Sequence, residues 1–216
     1  MDTPKTLKID FVSDVVCPWC AIGLASLETA LKRLDGEIGA ELHFHPFELN
    51  PQMAPEGEDI VEHLGRKYGI DAAQIARNRE NIRARGAAVG FRFGDKRDRT
   101  WNTFDAHRLL HWAGLEGRQH ELKRELLAAY HGAGENPSDP EVLVRLATAA
   151  GLDAPRAREV LTSGAYANEV RAQERHWQEL GIHSVPAVIV DDRHLISGGQ
   201  PPEVFEQALR QIAAQG

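Results

Sequence analysis

Strand-like sequence sits at the two ends of this chain, and the middle reads as helix. Near the start, Leu7-Lys8-Ile9-Asp10-Phe11-Val12 alternates apolar and polar residues, the period of a strand. The stretch 18–34 then places Ile22, Leu24, Leu27, Ala30, Leu31 and Leu34 at spacings of three and four, with Pro18 where a first helical turn tolerates it. Leu42, Phe44 and Pro46 alternate with His43, His45 and Phe47 as a second strand. Strand, helix, strand makes a βαβ unit with a right-handed crossover.

From about 58 to 180 the sequence is rich in Ala, Leu, Arg and Glu, with no strand-like run and no internal repeat. Leu122, Leu126, Leu127 and Tyr130 make one helix face. Val142, Leu143, Leu146 and Ala149, closed by Gly151, make another. A short helix ends near Val160 and Leu161, and residues 167–180 form one more before Gly181. Strand signals return in Ala187-Val188-Ile189-Val190 and His194-Leu195-Ile196-Ser197, around an Asp191-Asp192 turn. Pro201-Pro202 open a last helix carrying Val204, Phe205, Ala208, Leu209 and Ile212. No low-complexity linker marks either junction. The expected fold is therefore α/β: a discontinuous domain of residues 1–57 and 181–216, β-α-β … β-β-α, interrupted by an inserted helical domain of residues 58–180.

Composition narrows the function. A chain of 216 residues buries a core without help from disulfides. A net charge of −7 argues against a nucleic-acid or anionic-membrane surface. No apolar run reaches bilayer length, and the N-terminus lacks the pattern of a signal peptide, so the expected compartment is the cytoplasm.

The chain has two cysteines, both in Val15-Val16-Cys17-Pro18-Trp19-Cys20, at the first strand-to-helix junction. A structural disulfide closing so short a loop contributes about 2 kcal/mol, little for a protein with a large core. A closed zinc site wants four ligands. There is no second Cys-x-x-Cys, and His43 and His45 read as half-buried strand residues, so no metal is expected. Two inert buried thiols would leave their shared position unexplained. A redox pair needs this placement. Cys17 at a helix N-terminus faces unpaired N–H groups that lower its pKa, and Cys20 follows one turn later to resolve a mixed disulfide. Ser184-Val185-Pro186-Ala187 adds a proline at the mouth of a strand. It is compatible with an ordinary trans proline or with a cis bond that leaves Val185 free to pair with substrate.

The segments FVSDVVCPWCAIG at 11–23, SVPAVIV at 184–190 and ISGGQPPEVFEQAL at 196–209 resemble the DsbA-like thioredoxin-fold oxidoreductases. WNTFDAHRLLHWA at 101–113 and ELGIHSVP at 179–186 resemble their FrnE-type branch. The resemblance implies a thioredoxin fold with a helical insertion and thiol–disulfide exchange. It implies Cys17 as nucleophile, Cys20 as resolving thiol, and Pro186, preceded by Val185, as a cis proline facing them. Pro18 and Trp19 stand where periplasmic DsbA enzymes carry Pro-His. The missing histidine speaks against a strongly oxidising potential, and Trp19 would offer substrates an apolar surface. Related kappa-class glutathione transferases and 2-hydroxychromene-2-carboxylate isomerases have serine where Cys17 stands, so the intact pair favours dithiol chemistry.

No bound cofactor is implied beyond a redox-active Cys17–Cys20 disulfide, with glutathione as a candidate co-substrate. The implied partners are a thiol or disulfide substrate, protein or small molecule, and a second copy in a homodimer. Two alternatives stand beside the oxidoreductase: a glutathione-dependent isomerase or transferase, and a non-catalytic, chaperone-like client binder.

Other residues carry weaker expectations. Gly199 and Gln200, before the last helix, could hold a carboxylate such as one of glutathione's, or form a plain turn. Asn102 and His107 are candidates to line a cleft beside the dithiol, although His107 fits better as a hydrogen-bonded helix residue. Trp101, Phe104 and Trp112 read as core. Residues 77–99 hold seven arginines and one lysine against three acids. That surplus could steer an anion, but a solvated helix face is the commoner reason for such a run. Asp14 could shuttle a proton to Cys20 if buried; a polar loop residue is the simpler expectation.

Overall fold

The computed structural model describes residues 5–215. Strand β1 (Lys5–Ser13) pairs in parallel with β2 (Ile38–Pro46), from Lys5 opposite Ile38 to Ser13 opposite Pro46. On its other edge it takes β5 (Ala187–Val190) antiparallel, and β5 takes β6 (His194–Ser197). The sheet order is therefore β2-β1-β5-β6, with both ends of the chain in one sheet, as the sequence implies.

Both faces of the two central strands are covered, which is why β5 reads as an unbroken apolar run and all four of its residues are buried. Leu7, Ile9, Phe11, Val188 and Val190 face helix α1 (Pro18–Arg33) and the last helix, α9 (Pro202–Gln215). There they meet Leu24, Leu27 and Ala30 from α1, and Phe205, Leu209 and Ile212 from α9. Val12, Ala187 and Ile189 face the other way, onto Trp177 and Ile182. The period-two alternation assigns each residue to its layer.

Between β2 and β5 run α2 (Ile60–Tyr68), α3 (Ala72–Ala88), α4 (Phe104–Leu115), α5 (Gln119–Ala128), α6 (Pro140–Ala149), α7 (Ala154–Ser163) and α8 (Ala167–Glu179). Aspartates cap four of them. Asp59, Asp71, Asp139 and Asp153 each accept from backbone N–H groups of the first turn. Helices α4 to α7 share a core built on Leu109, Leu122, Leu126, Leu143, Ala147 and Val160.

The structure corrects one expectation about this block. It contains a ladder after all: β3 (Glu58–Asp59) pairs antiparallel with β4 (Arg99–Thr100). Two residues per strand are too few to show alternation. The block also shares packing with the sheet. Val15, from the first strand-to-helix loop, packs among the helices, and Leu127 of α5 packs in the sheet core. Gln119 bonds both the N–H and the C=O of Phe44 at 3.0 Å, tying α5 to the edge strand β2.

After Ala128 the α5 backbone widens into a π-helical turn, Ala129–Ala133, closed by Gly134 in the left-handed region. That turn carries Tyr130 and His131 into the interior. The Tyr130 hydroxyl donates to the Arg99 carbonyl at 3.0 Å, and His131 Nε2 bonds the Val15 carbonyl at 2.9 Å. One irregular turn thus holds both the loop before Cys17 and the segment around residue 99.

Candidate active site

Cys17 is the N-cap of α1, with extended backbone angles, and Pro18 occupies the first turn. The Cys17 carbonyl accepts from the Cys20 N–H at 3.1 Å, so the two side chains lie one turn apart. Both thiols are buried: Cys17 is 4% exposed and Cys20 is 0%. The Cys17 thiol donates to the Val185 carbonyl across 3.8 Å, and the Val185–Pro186 peptide bond is cis. The dithiol and this loop, 168 residues apart in sequence, thus meet across the β1–β5 pairing.

Close packing sets that meeting. A Cβ on Gly23 would lie 3.0 Å from Pro186 Cγ, and one on Gly199 would lie 2.9 Å from the Trp19 carbonyl oxygen. Glycine at both places lets the first turns of α1 approach the proline loop and the turn before α9.

The two thiols are electrostatically unlike. The Cys20 thiol and the Cys20 and Trp19 N–H groups donate toward Cys17, and together they hold it below the ordinary thiol range against burial and the charge of Asp14. Burial, then the hydrogen bond and charge of Cys17, push Cys20 well above that range, and Lys123 of α5 partly offsets them. Lys123 is 1% exposed. Burial lowers its pKa, while the nearby Cys20, Asp14 and Cys17 favour its charged form. The Cys17 thiol is thus the more readily ionised of the two and the Cys20 thiol the more firmly protonated.

Asp14 departs from the simpler expectation of a polar loop residue. It is fully buried, accepts from the Leu49 N–H at 2.7 Å, and lies 3.3 Å from His107 Nε2. Burial works to raise its pKa, but the His107 hydrogen bond, its charge and the Leu49 N–H win, and the group stays below the usual carboxylate range. His107 is accordingly a buried, hydrogen-bonded residue of α4 and not part of the cleft wall.

Cys17 opens into a cavity of about 520 Å³ between the dithiol and α2, α3 and the segment before β4. Pro18, Trp19 and Val185 line it. Ile60, Leu64, Ile75 and Ile82 form its apolar walls, and Asn50, Asn78 and Asn81 add amides. Pro186 is buried behind Val185.

The other expected contacts sit differently. Asn102 does not line the cavity; its amide bonds the Met53 carbonyl at 3.4 Å and the Phe104 N–H at 2.9 Å, shaping the start of α4. The Gln200 side chain turns back to the Ser197 carbonyl at 2.7 Å, and Gly199 packs beside Trp19. Trp112 is core, whereas Trp101 and Phe104 are only half-buried. Among the described residues no group of three or more His, Cys, Asp or Glu could hold a metal ion; His45 pairs with Asp10 at 2.7 Å, and His43 with Glu41 at 3.1 Å.

The basic run 77–99 is more than a solvated face. Arg79 and Arg97 line the cavity, and Arg85 stacks over the Trp19 ring at 5.7 Å. Its charge surplus was the available signal. Lys67, also on the cavity wall, and Lys123 had none: each is an ordinary helix lysine until the fold places it.

The comparisons agree with the fold. A family model, DSBA-like thioredoxin domain, matches residues 8–210. The crystal structure of a probable DsbA oxidoreductase from Streptomyces coelicolor superimposes with a TM-score of 0.91 at 38% identity, covering 97% of this chain and 91% of that one. The Bacillus subtilis protein YwbO, described as uncharacterized, is 29% identical over 205 residues, 94% of this chain and 96% of its own. A 2-hydroxychromene-2-carboxylate isomerase matches with a TM-score of 0.72 at 15% identity over 96% of this chain and 97% of that one, a likeness of fold alone. One matched span takes in residues of all four strands of the main sheet and the helices between them, and by that measure this protein belongs to the DSBA-like thioredoxin domain family.

Proposed function

We propose that this protein is a thiol–disulfide oxidoreductase of the FrnE type, acting in the cytoplasm through Cys17 and Cys20. One observation carries the reading: two thiols one helical turn apart, the outer lowered and the inner raised in pKa, with the outer opening onto a cavity beside Val185. In the reductive direction the Cys17 thiolate attacks a substrate disulfide, forming a mixed disulfide and releasing one substrate thiolate. Cys20 gives its proton to the departing sulfur and attacks Cys17. The products are a Cys17–Cys20 disulfide, one substrate thiolate and one substrate thiol; two electrons and one proton leave the dithiol, and the thiolate takes its proton from solvent. The oxidative direction is the reverse.

The test is a redox titration in glutathione buffers with thiol trapping and mass analysis. A reversible Cys17–Cys20 disulfide with a potential between about −120 and −270 mV is expected. A protein that forms no such disulfide is not this enzyme. The cavity beside Cys17 also suits a glutathione-dependent isomerase or transferase. In that case turnover of a glutathione-linked small molecule would survive Cys20→Ser, which abolishes dithiol exchange.

A further inference from the structure

The cavity over Cys17 is one-sided in charge. Lys67, Arg79 and Arg97 line it, and among the described residues no Asp or Glu does. His63 on the same wall already has a partner, bonding Glu58 at 2.6 Å. Lys67 donates to the Leu49 carbonyl at 2.8 Å and to the Asn50 amide oxygen at 2.7 Å. Among the described residues no carboxylate lies within salt-bridge reach of Arg79 or Arg97, although most other arginines here have one.

Arg79 is the sharpest case. Its Nε and Nη2 are both shielded from water and have no hydrogen-bond partner. Unpaired guanidinium N–H groups cost free energy; these two are closed to a water-sized oxygen, so an oxyanion in the cavity meets Arg79 at its remaining nitrogen, Nη1. Arg97 is half-buried, bonds His131 Nδ1 at 3.3 Å and lies over the Tyr130 ring at 5.7 Å, so the π-helical turn holds it in place. Each guanidinium feels the other. The charge of Arg79 adds to burial in lowering the pKa of Arg97, and Cys17 opposes it. An anion between them relieves both.

We propose that Arg79 and Arg97 form an anion subsite, and that the substrate of Cys17 is a low-molecular-weight thiol or disulfide bearing a carboxylate or similar acidic group. This rests on the dithiol reading above and narrows it. The small size follows from access: Cys17 is 4% exposed and is reached through a cavity of about 520 Å³, within the range of small-molecule sites. The apolar walls from α2 and α3 take the carbon chain, and the guanidiniums take the charge.

The net charge of the whole chain is −7, which by itself would favour cationic substrates. A preference for anions therefore reports the local subsite. The experiment follows reoxidation of the fully reduced protein by three disulfides of similar length: dithiodipropionate, which is anionic, bis(hydroxyethyl) disulfide, which is neutral, and cystamine, which is cationic. The expected order is anionic, neutral, cationic, with dithiodipropionate ahead of the neutral compound by tenfold or more, about 1.4 kcal/mol. In Arg79→Gln that ratio falls toward one, and Arg79→Lys restores part of it. Should the arginine variants fail to fold, the wild-type order and its collapse in high salt decide the matter alone. Equal rates for all three disulfides, or cystamine ahead, overturn the subsite and leave the exchange activity intact. No reaction with any of them overturns the exchange reading itself.

Discussion

Glu48 precedes the cavity residues Leu49 and Asn50, and its side chain is only 2% exposed. It shares Arg171 with Glu174, and one oxygen of each carboxyl is buried without a partner. Burial, then the charge of Glu174, raise its pKa from 4.5 to about 7, against the pull of Arg171 and His107. Between those values the folded protein holds a proton that the unfolded chain has released. Stability therefore falls as pH rises through this window, and the loss is complete above the folded value. At about 1.4 kcal/mol per pH unit the ceiling is about 3 kcal/mol, and water around the outer part of Arg171 reduces it to about 2 kcal/mol.

Glu48→Gln keeps the shape and an oxygen for Arg171 but cannot ionise. Urea unfolding of the reduced wild type and variant, followed by circular dichroism from about pH 4 to about pH 8, isolates the group in the difference between them. The variant should gain about 2 kcal/mol relative to wild type across that range, with little change below pH 4.5. Glu174→Gln should flatten the wild-type slope, because it removes the neighbouring charge. A difference that stays flat, or moves toward the wild type as pH rises, would show that Arg171 holds Glu48 ionised and would refute the reasoning.

Three other outcomes are expected. Iodoacetamide near neutral pH should label Cys17 first, with the inflection of its rate below the ordinary thiol value of 9.0, and mass mapping of the adduct checks this. Lys123→Met removes the buried cation that favours ionised Cys20, so the resolving step should slow and the Cys17 mixed disulfide accumulate in acid-quenched samples. Asp14→Asn should lower the Cys17 pKa further, since the Asp14 charge opposes the thiolate, and should cost about 1–3 kcal/mol by weakening the bonds to Leu49 and His107. The two readouts, an alkylation pH profile and a denaturation curve, separate the effects.

Local pattern carries most of the architecture. Alternation in 7–12, the spacing of Leu24, Leu27 and Ala30, the run Ala187–Val190 and the Asp-Pro start at 139–140 each act within a few residues, so helices, strands and caps are legible one window at a time. The placing of Cys17 at a helix start follows from the same windows, because strand signal, thiol and helix signal are contiguous. Asn102 shows the limit: its family-like setting suggested a cleft residue, yet its amide is spent on Met53 and Phe104.

Burial, and encounters between distant segments, are set by the packed fold and leave no local mark. A lysine at 123 or an aspartate at 14 has no local mark of being enclosed. Each becomes so because α4, α5 and the loop after β2 close over the dithiol. The Arg run at 77–99 shows charge in one dimension, and whether that charge meets water or a cavity depends on how α3 packs and on where the β3–β4 ladder holds the far end of the run. Desolvation, which separates the two thiols and leaves Arg79 unpaired, is a property of packed neighbours. Local pattern is enough to place a dithiol at the start of a helix in an α/β fold, because those signals are contiguous; the charges around it come from packed segments far apart in the chain.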